Sequence, residues 1–345
     1  MKKKQTGIRD LARALNVSPS TVSKALNGVT QIKPQTRRAV EEMAKRMNYQ
    51  PNQIAQNLRN NKTNILGVIV PNLISHFFAA TISGIQDVAA AHGYNVIICQ
   101  SNESFQKEEK LIQTLIASRV DGLLMSLSRE TESFDHIQSI FAKRIPLVLF
   151  DRVCNEVTAS KVTVDDHDGA FNATEHLIEK GYSRIAHISG PEHLSISKSR
   201  LAGYVDAHLK HSLEIDEVLI RHTNMLGDEV ATQTQALLDL PNPPDAIFSI
   251  NDLVATQVMS VIKSRGLRIP DDIALIGFTN IPEATLLEPS LTTVAQPAYE
   301  LGEISATHIL KQIQAPEDFK PQEIVLKTKL IARESTSLRK LQSIL

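Results

Sequence analysis

Tryptophan is absent from this 345-residue sequence, and only 4% of its residues are aromatic. A core of that composition must be assembled from Ile, Leu, Val and Ala, which fill sheet and helix faces without polar handles. Cysteine is nearly as scarce. Cys99 and Cys154 make no metal-ligand spacing and sit in apolar, strand-like surroundings, so they read as buried free thiols of a reducing cytosol. No stretch approaches the ~20 apolar residues of a membrane span, and Lys2-Lys3-Lys4 is followed by no apolar signal core. The expected location is the cytoplasm, with no membrane partner. A phosphate-cradling glycine loop and a convergent acid/base pair are missing as well. The one suggestive cluster, Asp165-Asp166-His167-Asp168, falls on a strand-to-helix turn, where adjacent side chains diverge and helix capping is the better reading. No catalytic residue, metal or cofactor is expected, and the chain reads as a non-enzyme.

What is present is ordinary in bulk and uneven in charge. With 42% hydrophobic and 22% charged residues the chain is long enough for two or three globular domains. Residues 1–61 hold twelve Lys and Arg against three acids, a net +9, and the remainder is −10, so a whole-chain charge of −1 conceals a basic segment. A polyanion-binding head on an acidic body follows.

Within that head, Ile8, Leu11, Ala12 and Leu15 recur at helical spacing, predicting a helix over 6–15 with Thr6 as candidate N-cap. Ser18 is a good N-cap for a second helix, Pro19 suits its first position, and Val22, Ala25 and Leu26 supply its inward face up to Asn27-Gly28. Two short helices joined by the Asn16-Val17 corner form a helix-turn-helix pattern, whose second helix offers Pro19, Ser20, Thr21, Ser23 and Lys24 to base edges in the major groove. A third helix is expected over about 34–47. Residues 52–59 have helix-forming length but only Ile54, Ala55 and Leu58 as apolar face, too little to hold a helix without a partner.

From Asn64 the texture changes to apolar runs alternating with amphipathic helices. Strands are expected at 65–70, 94–98, 120–125, 146–150, 162–164, 184–188, 218–221, 246–250 and 273–278, with helices between them, including 77–92, 103–118, 132–142, 168–180, 197–211, 227–238 and 253–265. Such alternation implies parallel βαβ units with helices on both faces, here two successive doubly wound lobes. A helix at about 298–312 and a single strand over 323–331 follow, so the chain is expected to cross between lobes more than once.

The segments Ile8-Arg-Asp-Leu-Ala12, Val17-Ser18, Ser20-Thr-Val-Ser-Lys-Ala-Leu-Asn27, Tyr49-Gln-Pro-Asn52, Ala55, Leu58 and Leu330-Ile-Ala-Arg-Glu-Ser335 resemble the lactose-repressor/galactose-repressor (LacI/GalR-type) family of bacterial transcription regulators, along essentially the whole chain. The resemblance implies an all-α helix-turn-helix head (1–48), a hinge helix segment (49–62), and a periplasmic-binding-protein-like α/β body (63–340) before a tail (339–345). The expected lobes are about 63–161 with 293–322, and about 162–291 with 323–338. It also implies a homodimer on a pseudo-palindromic double-stranded DNA operator, controlled by a sugar-like effector in the inter-lobe cleft. DNA contacts carried over are Thr6, Ser18, Pro19, Ser20, Thr21, Ser23, Lys24, Asn27, Tyr49, Asn52, Ala55, Leu58 and Arg59. Lys24 stands where some members have Arg, so a bidentate fork toward guanine gives way to a point charge. Leu58 matches the leucine that members wedge between central base pairs from the minor groove.

Ligands of open α/β sheets lie outside the carboxyl ends of the strands. With the cleft that the resemblance implies, effector contacts are expected from His76, Phe77, Asp151, Asn251, Thr279 and Gln296, and from Arg200 through the family motif Ser199-Arg-Leu-Ala-Gly203. Arg200 is open to a structural ion-pair reading and Asp252 to a helix N-cap reading; of Phe77 and Phe78, one is expected in the core and one at the cleft. Thr279 occupies a position at which many members carry an acid, which removes a charge from the expected grip on a sugar. A sugar receptor without a DNA role is the competing reading, and the basic head with no export signal argues against it.

Overall fold

The computed structural model describes residues 7–26, 31–49, 62–317 and 319–337. The chain divides into two compact units, Met1–Asn64 and Ile65–Leu345.

The first unit contains α1 (Ile8–Ala14), α2 (Pro19–Leu26) and α3 (Pro34–Arg46). Leu11, Ala12, Val22, Ala25 and Val40 are buried between them. The α1–α2 corner turns on Asn16, at φ 50°, a left-handed conformation that Asn tolerates. Asn48, at φ 46°, ends α3 by the same device. The start of α1 departs from expectation: Gly7, not Thr6, is the N-cap, because Asp10 reaches back to accept the Gly7 N–H at 2.9 Å.

The second unit is built on two six-stranded sheets, each strand running parallel to its neighbours except at one edge. In the first, β1 (Ile65–Val70), β2 (Asn95–Gln100), β3 (Gly122–Met125), β4 (Leu147–Phe150), β5 (Ser160–Val164) and β11 (Glu323–Leu326) lie in the order β11-β5-β4-β3-β1-β2. In the second, β6 (Ile185–Ser189), β7 (Ile220–His222), β8 (Ala246–Ser249), β9 (Ala274–Thr279), β10 (Thr292–Ala295) and β12 (Lys329–Ile331) lie in the order β12-β10-β9-β8-β6-β7. Helices α4 (His76–Ala91), α5 (Phe105–Ala117), α6 (Gln138–Ala142) and α11 (Ala298–Gln314) cover the first sheet. Helices α7 (Asp166–Glu179), α8 (Ser195–Lys210), α9 (Gly227–Leu238) and α10 (Asp252–Ser264) cover the second. Helices α4 and α11 cross at backbone distance: a Cβ on Gly84 would stand 2.2 Å from the Tyr299 carbonyl oxygen, and one on Gly302 2.0 Å from that of Thr81.

The expected lobe boundaries need correction at three crossings. Residues 162–164 belong to β5, which pairs with β4 and β11 in the first sheet, so the chain leaves that lobe after Val164. Strand β10, expected in the first lobe, pairs with β9 in the second. The expected single strand over 323–331 breaks at Lys327-Thr328; β11 joins β5 in the first sheet while β12 runs antiparallel to β10 in the second. Two shorter corrections have a visible cause. Glu103 lies before α5 at φ 61°, because its carboxylate accepts the Arg129 N–H and the Arg152 guanidinium, both at 2.7 Å. Residues 132–134 are not helical because buried Glu108 holds Thr131 at 3.0 Å and His136 at 2.8 Å, drawing the chain across itself before α6 begins.

Candidate nucleic-acid interface and ligand cleft

In the head, Ser18 caps α2: its Oγ accepts the Thr21 N–H at 3.1 Å and lies 2.8 Å from the hydroxyls of both Ser20 and Thr21. The helix begins with a cluster of hydroxyls, a surface suited to phosphates and base edges. Pro19, Ser20 and Lys24 are exposed, and Thr21 and Ser23 are half-buried. Around them Arg9, Arg13, Lys33, Arg38, Lys45 and Arg46 are also exposed. Tyr49, carried over as a DNA contact, packs partly buried against the head core, and its N–H donates to Ala44. Thr6, Asn27, Asn52, Ala55, Leu58 and Arg59, with most of the hinge, lie outside the described residues.

In the body, a cleft of about 370 Å³ opens between the carboxyl ends of the two sheets. Phe77, Asp151, Arg200, Asn251, Thr279 and Gln296 all line it. His76 does not. As first residue of α4 it points to solvent, since helical residues turn by ~100° per step and the next two, Phe77 and Phe78, take the inward directions. Both phenylalanines are buried and both border the cleft, edge to face with centroids 5.2 Å apart, so neither is reserved to the core.

Arg200 is held in a buried ion pair and also lines the cleft. Its Nε and Nη2 donate to Asp166 Oδ1 at 2.8 and 2.7 Å, its Nη1 to the Ile250 carbonyl at 2.5 Å, and its guanidinium lies 3.7 Å over the Phe278 ring. A guanidinium has five N–H donors, so the fork is immobilised and still keeps N–H groups to offer the cleft. Asp151 is buried at φ 60° with one distant donor, the Ser126 hydroxyl at 3.4 Å. Burial, with Asp166 nearby, pushes its carboxyl up to about 6 against the pull of Arg152 and Arg200. Asn251, not Asp252, caps α10: its Oδ1 accepts the Val254 N–H at 2.9 Å, while its Nδ2 faces only the Met225 sulfur at 3.7 Å. Gln296 Nε2 is shut off from solvent with no hydrogen-bond partner among the described residues. A buried amide left in that state favours a ligand that accepts from it.

The cleft also holds residues that sequence reasoning missed: Asn72, Asn102, Glu103, Arg129, Arg152 and Met225. Each follows the carboxyl end of a strand, which was a usable signal. Arg129 spans the two lobes, its Nη1 donating to the Asn224 carbonyl at 2.7 Å while His193 Nε2 bonds the Arg129 carbonyl at 2.6 Å. Asn102, Glu103, Asp151, Met225 and Thr279 have positive φ, a concentration of costly backbone typical of binding sites. Within the 165–168 cluster the capping reading holds for Asp165, which accepts the Asp168 N–H at 3.1 Å, whereas Asp166 pairs with Arg200 and His167 with Asp206. Cys154 is buried, with its thiol pushed up to about 11, and Cys99 is half-buried rather than buried; both are free.

Comparison with known proteins matches the geometry. The profile of the bacterial regulatory proteins of the lacI family fits residues 7–52, and that of the periplasmic binding protein-like domain fits 174–336. The ribose operon repressor of Halalkalibacterium halodurans is 36% identical over 96% of this chain and 97% of its own length. The chain belongs to the LacI family. Its body and head are similar to the lac repressor dimer bound to operator and the anti-inducer ONPF, at 25% identity and a TM-score of 0.85 over 97% of this chain and all of that one. A periplasmic binding protein/LacI transcriptional regulator from Alkaliphilus metalliredigens, complexed with D-xylulofuranose, is 30% identical with a TM-score of 0.69 over 79% of this chain and 98% of that one. In this LacI-family chain the two candidate surfaces, the hydroxyl-rich start of α2 and the cleft, belong to separate units. No helix among the described residues is long and apolar enough to cross a membrane.

Proposed function

We propose that this LacI-family protein is a cytoplasmic, non-enzymatic transcriptional repressor, a homodimer that binds a pseudo-palindromic operator and is controlled by a small polyhydroxylated effector in the cleft. The observation that carries the effector reading is the convergence on one cleft of Asp151, Arg200, Asn251, Thr279 and the unpartnered Gln296 amide. Carboxylate, guanidinium and amides bracket adjacent hydroxyls, and the Phe77 and Phe78 edges cover an apolar ring face. The relative that holds D-xylulofuranose makes a furanose the first class to test. On the DNA side, the basic head supplies phosphate contacts, and Pro19, Ser20 and Lys24 supply base contacts. The segment at 49–62 transmits the state of the body, provided the effector favours one lobe arrangement over the other.

Fluorescence anisotropy with genomic fragments, titrated with and without D-ribose, D-xylulose and cellobiose, tests both halves. Specific, salt-sensitive binding modulated by one of these sugars is expected. Loss of specificity at every fragment sinks the repressor reading; specific binding indifferent to every polyol sinks the effector reading.

A further inference from the structure

The motif at 330–335 lies far from both functional surfaces in sequence, yet the structure ties it to the cleft. Thr279 lines the cleft at φ 131°, and Asn280 follows at φ 63°. For a β-branched residue such a backbone is costly, about 1–3 kcal/mol, and persists only where its surroundings over-determine it. Those surroundings are polar and lie behind the loop. Asp252, fully buried, accepts the Ile281 N–H at 2.9 Å and the Thr293 hydroxyl at 2.6 Å; the Thr293 oxygen in turn accepts the Asn280 N–H at 3.2 Å. From the other side Arg333 donates to Asn280 Oδ1 at 2.7 Å and to the Leu291 carbonyl at 2.6 Å. Ser335 anchors the Arg333 strand by donating to Leu275 at 2.6 Å and accepting from Thr292 at 2.8 Å. Gly277 makes room for this brace, since a Cβ there would stand 2.1 Å from Asp252 Oδ1. Neither Asp252 nor Arg333 lines the cleft.

We infer that Asp252 and Arg333 are positioning residues of the effector site, clamping residues 279–281 from behind so that the Thr279 side chain is held toward the cleft. This rests on the reading of the cleft as an effector site. The last crossover of the chain thereby completes a site whose other residues begin at Pro71, just after β1.

The test compares the full chain with its Asp252→Asn, Arg333→Met and Arg333→Lys variants in two measurements. In hydrogen exchange, the amides of Asn280 and Ile281 should exchange at least about tenfold faster in Asp252→Asn and Arg333→Met, while those of β8 keep wild-type protection. In calorimetric titration with D-ribose, D-xylulose and cellobiose, the sugar bound by the wild type should bind at least about tenfold more weakly to the same two variants, with sugar-free operator affinity within about twofold of wild type. Arg333→Lys, which keeps one donor, should recover part of the sugar affinity. Unchanged exchange at 280–281, equal loosening of β8, or loosening with an unchanged sugar Kd each overturns the inference. A wild-type chain that binds none of these sugars fails the sugar reading of the cleft instead, and the exchange measurement then decides the brace by itself.

Discussion

Asp151 and Arg200 show how single residues set the behaviour of the cleft. The Asp151 carboxyl is raised from 3.8 to about 6, chiefly by burial. A carboxyl raised in the folded state favours folding when protonated, so its contribution is greatest below about pH 4, declines as the pH rises to about 6, and is flat above. Effector hydroxyls that donate to the carboxylate favour the ionised form. Sugar affinity is therefore expected to be about tenfold weaker at pH 5 than at pH 7.5, and Asp151→Asn should flatten that profile. A wild-type profile without slope in calorimetric titrations would remove Asp151 from the contact set. Arg200→Met strands the Asp166 carboxylate and the Ile250 carbonyl in a buried position. The expected cost in denaturant unfolding of the body is about 3–5 kcal/mol, because a buried charge loses its partner. Adding Asp166→Leu should restore much of the stability and none of the sugar binding; restored binding would mean that Arg200 acts only as a strut.

At the scale of the element, α2 illustrates how a cap serves both folding and recognition. Ser18 satisfies the Thr21 N–H and orders the hydroxyls of Ser20 and Thr21 in front of the helix. Ser18→Ala should cost the head about 1 kcal/mol and Ser18→Gly only a few tenths, read from thermal unfolding followed by circular dichroism. Operator affinity should follow the same order. Equal effects of the two substitutions would mean that the cap does not set the position of the helix. The cap, the Pro19 start and the inward Val22 and Ala25 were legible in the sequence because each is a local rule. The start of α1 departs from the residue-type preference for Thr6 for a reason equally local: Asp10, three residues ahead, selects Gly7. Expected helix 132–142 failed for a tertiary reason, since a buried glutamate on α5 draws Thr131 and His136 to itself.

For the whole molecule, the two candidate surfaces belong to separate compact units, and the proposed control of one by the other runs through the segment between them. Leu58→Ala should weaken specific operator binding by more than about tenfold while leaving the sugar Kd within about twofold, since its expected partner is the unstacked minor groove. Equal losses in anisotropy and calorimetry would indicate misfolding instead. Much of this architecture follows from the sequence alone: the charge partition separates head from body, apolar runs alternating with amphipathic helices dictate parallel sheets, and strand ends followed by Asp151, Asn251 and Thr279 mark the cleft. What the sequence could not decide is which sheet receives each strand. Strand β11 finds β5, with Lys161 and Glu323 paired at 2.7 Å across 162 positions, and β12 turns to the opposite sheet two residues later. Period and propensity are properties of a short window, whereas pairing depends on which edges and buried faces remain open once the other strands are in place. The partners of the Asp252 carboxylate and the Arg333 guanidinium, inferred to brace the cleft from behind, were hidden for the same reason, because a side chain's partner is fixed by the folded sheet and not by its neighbours in the chain.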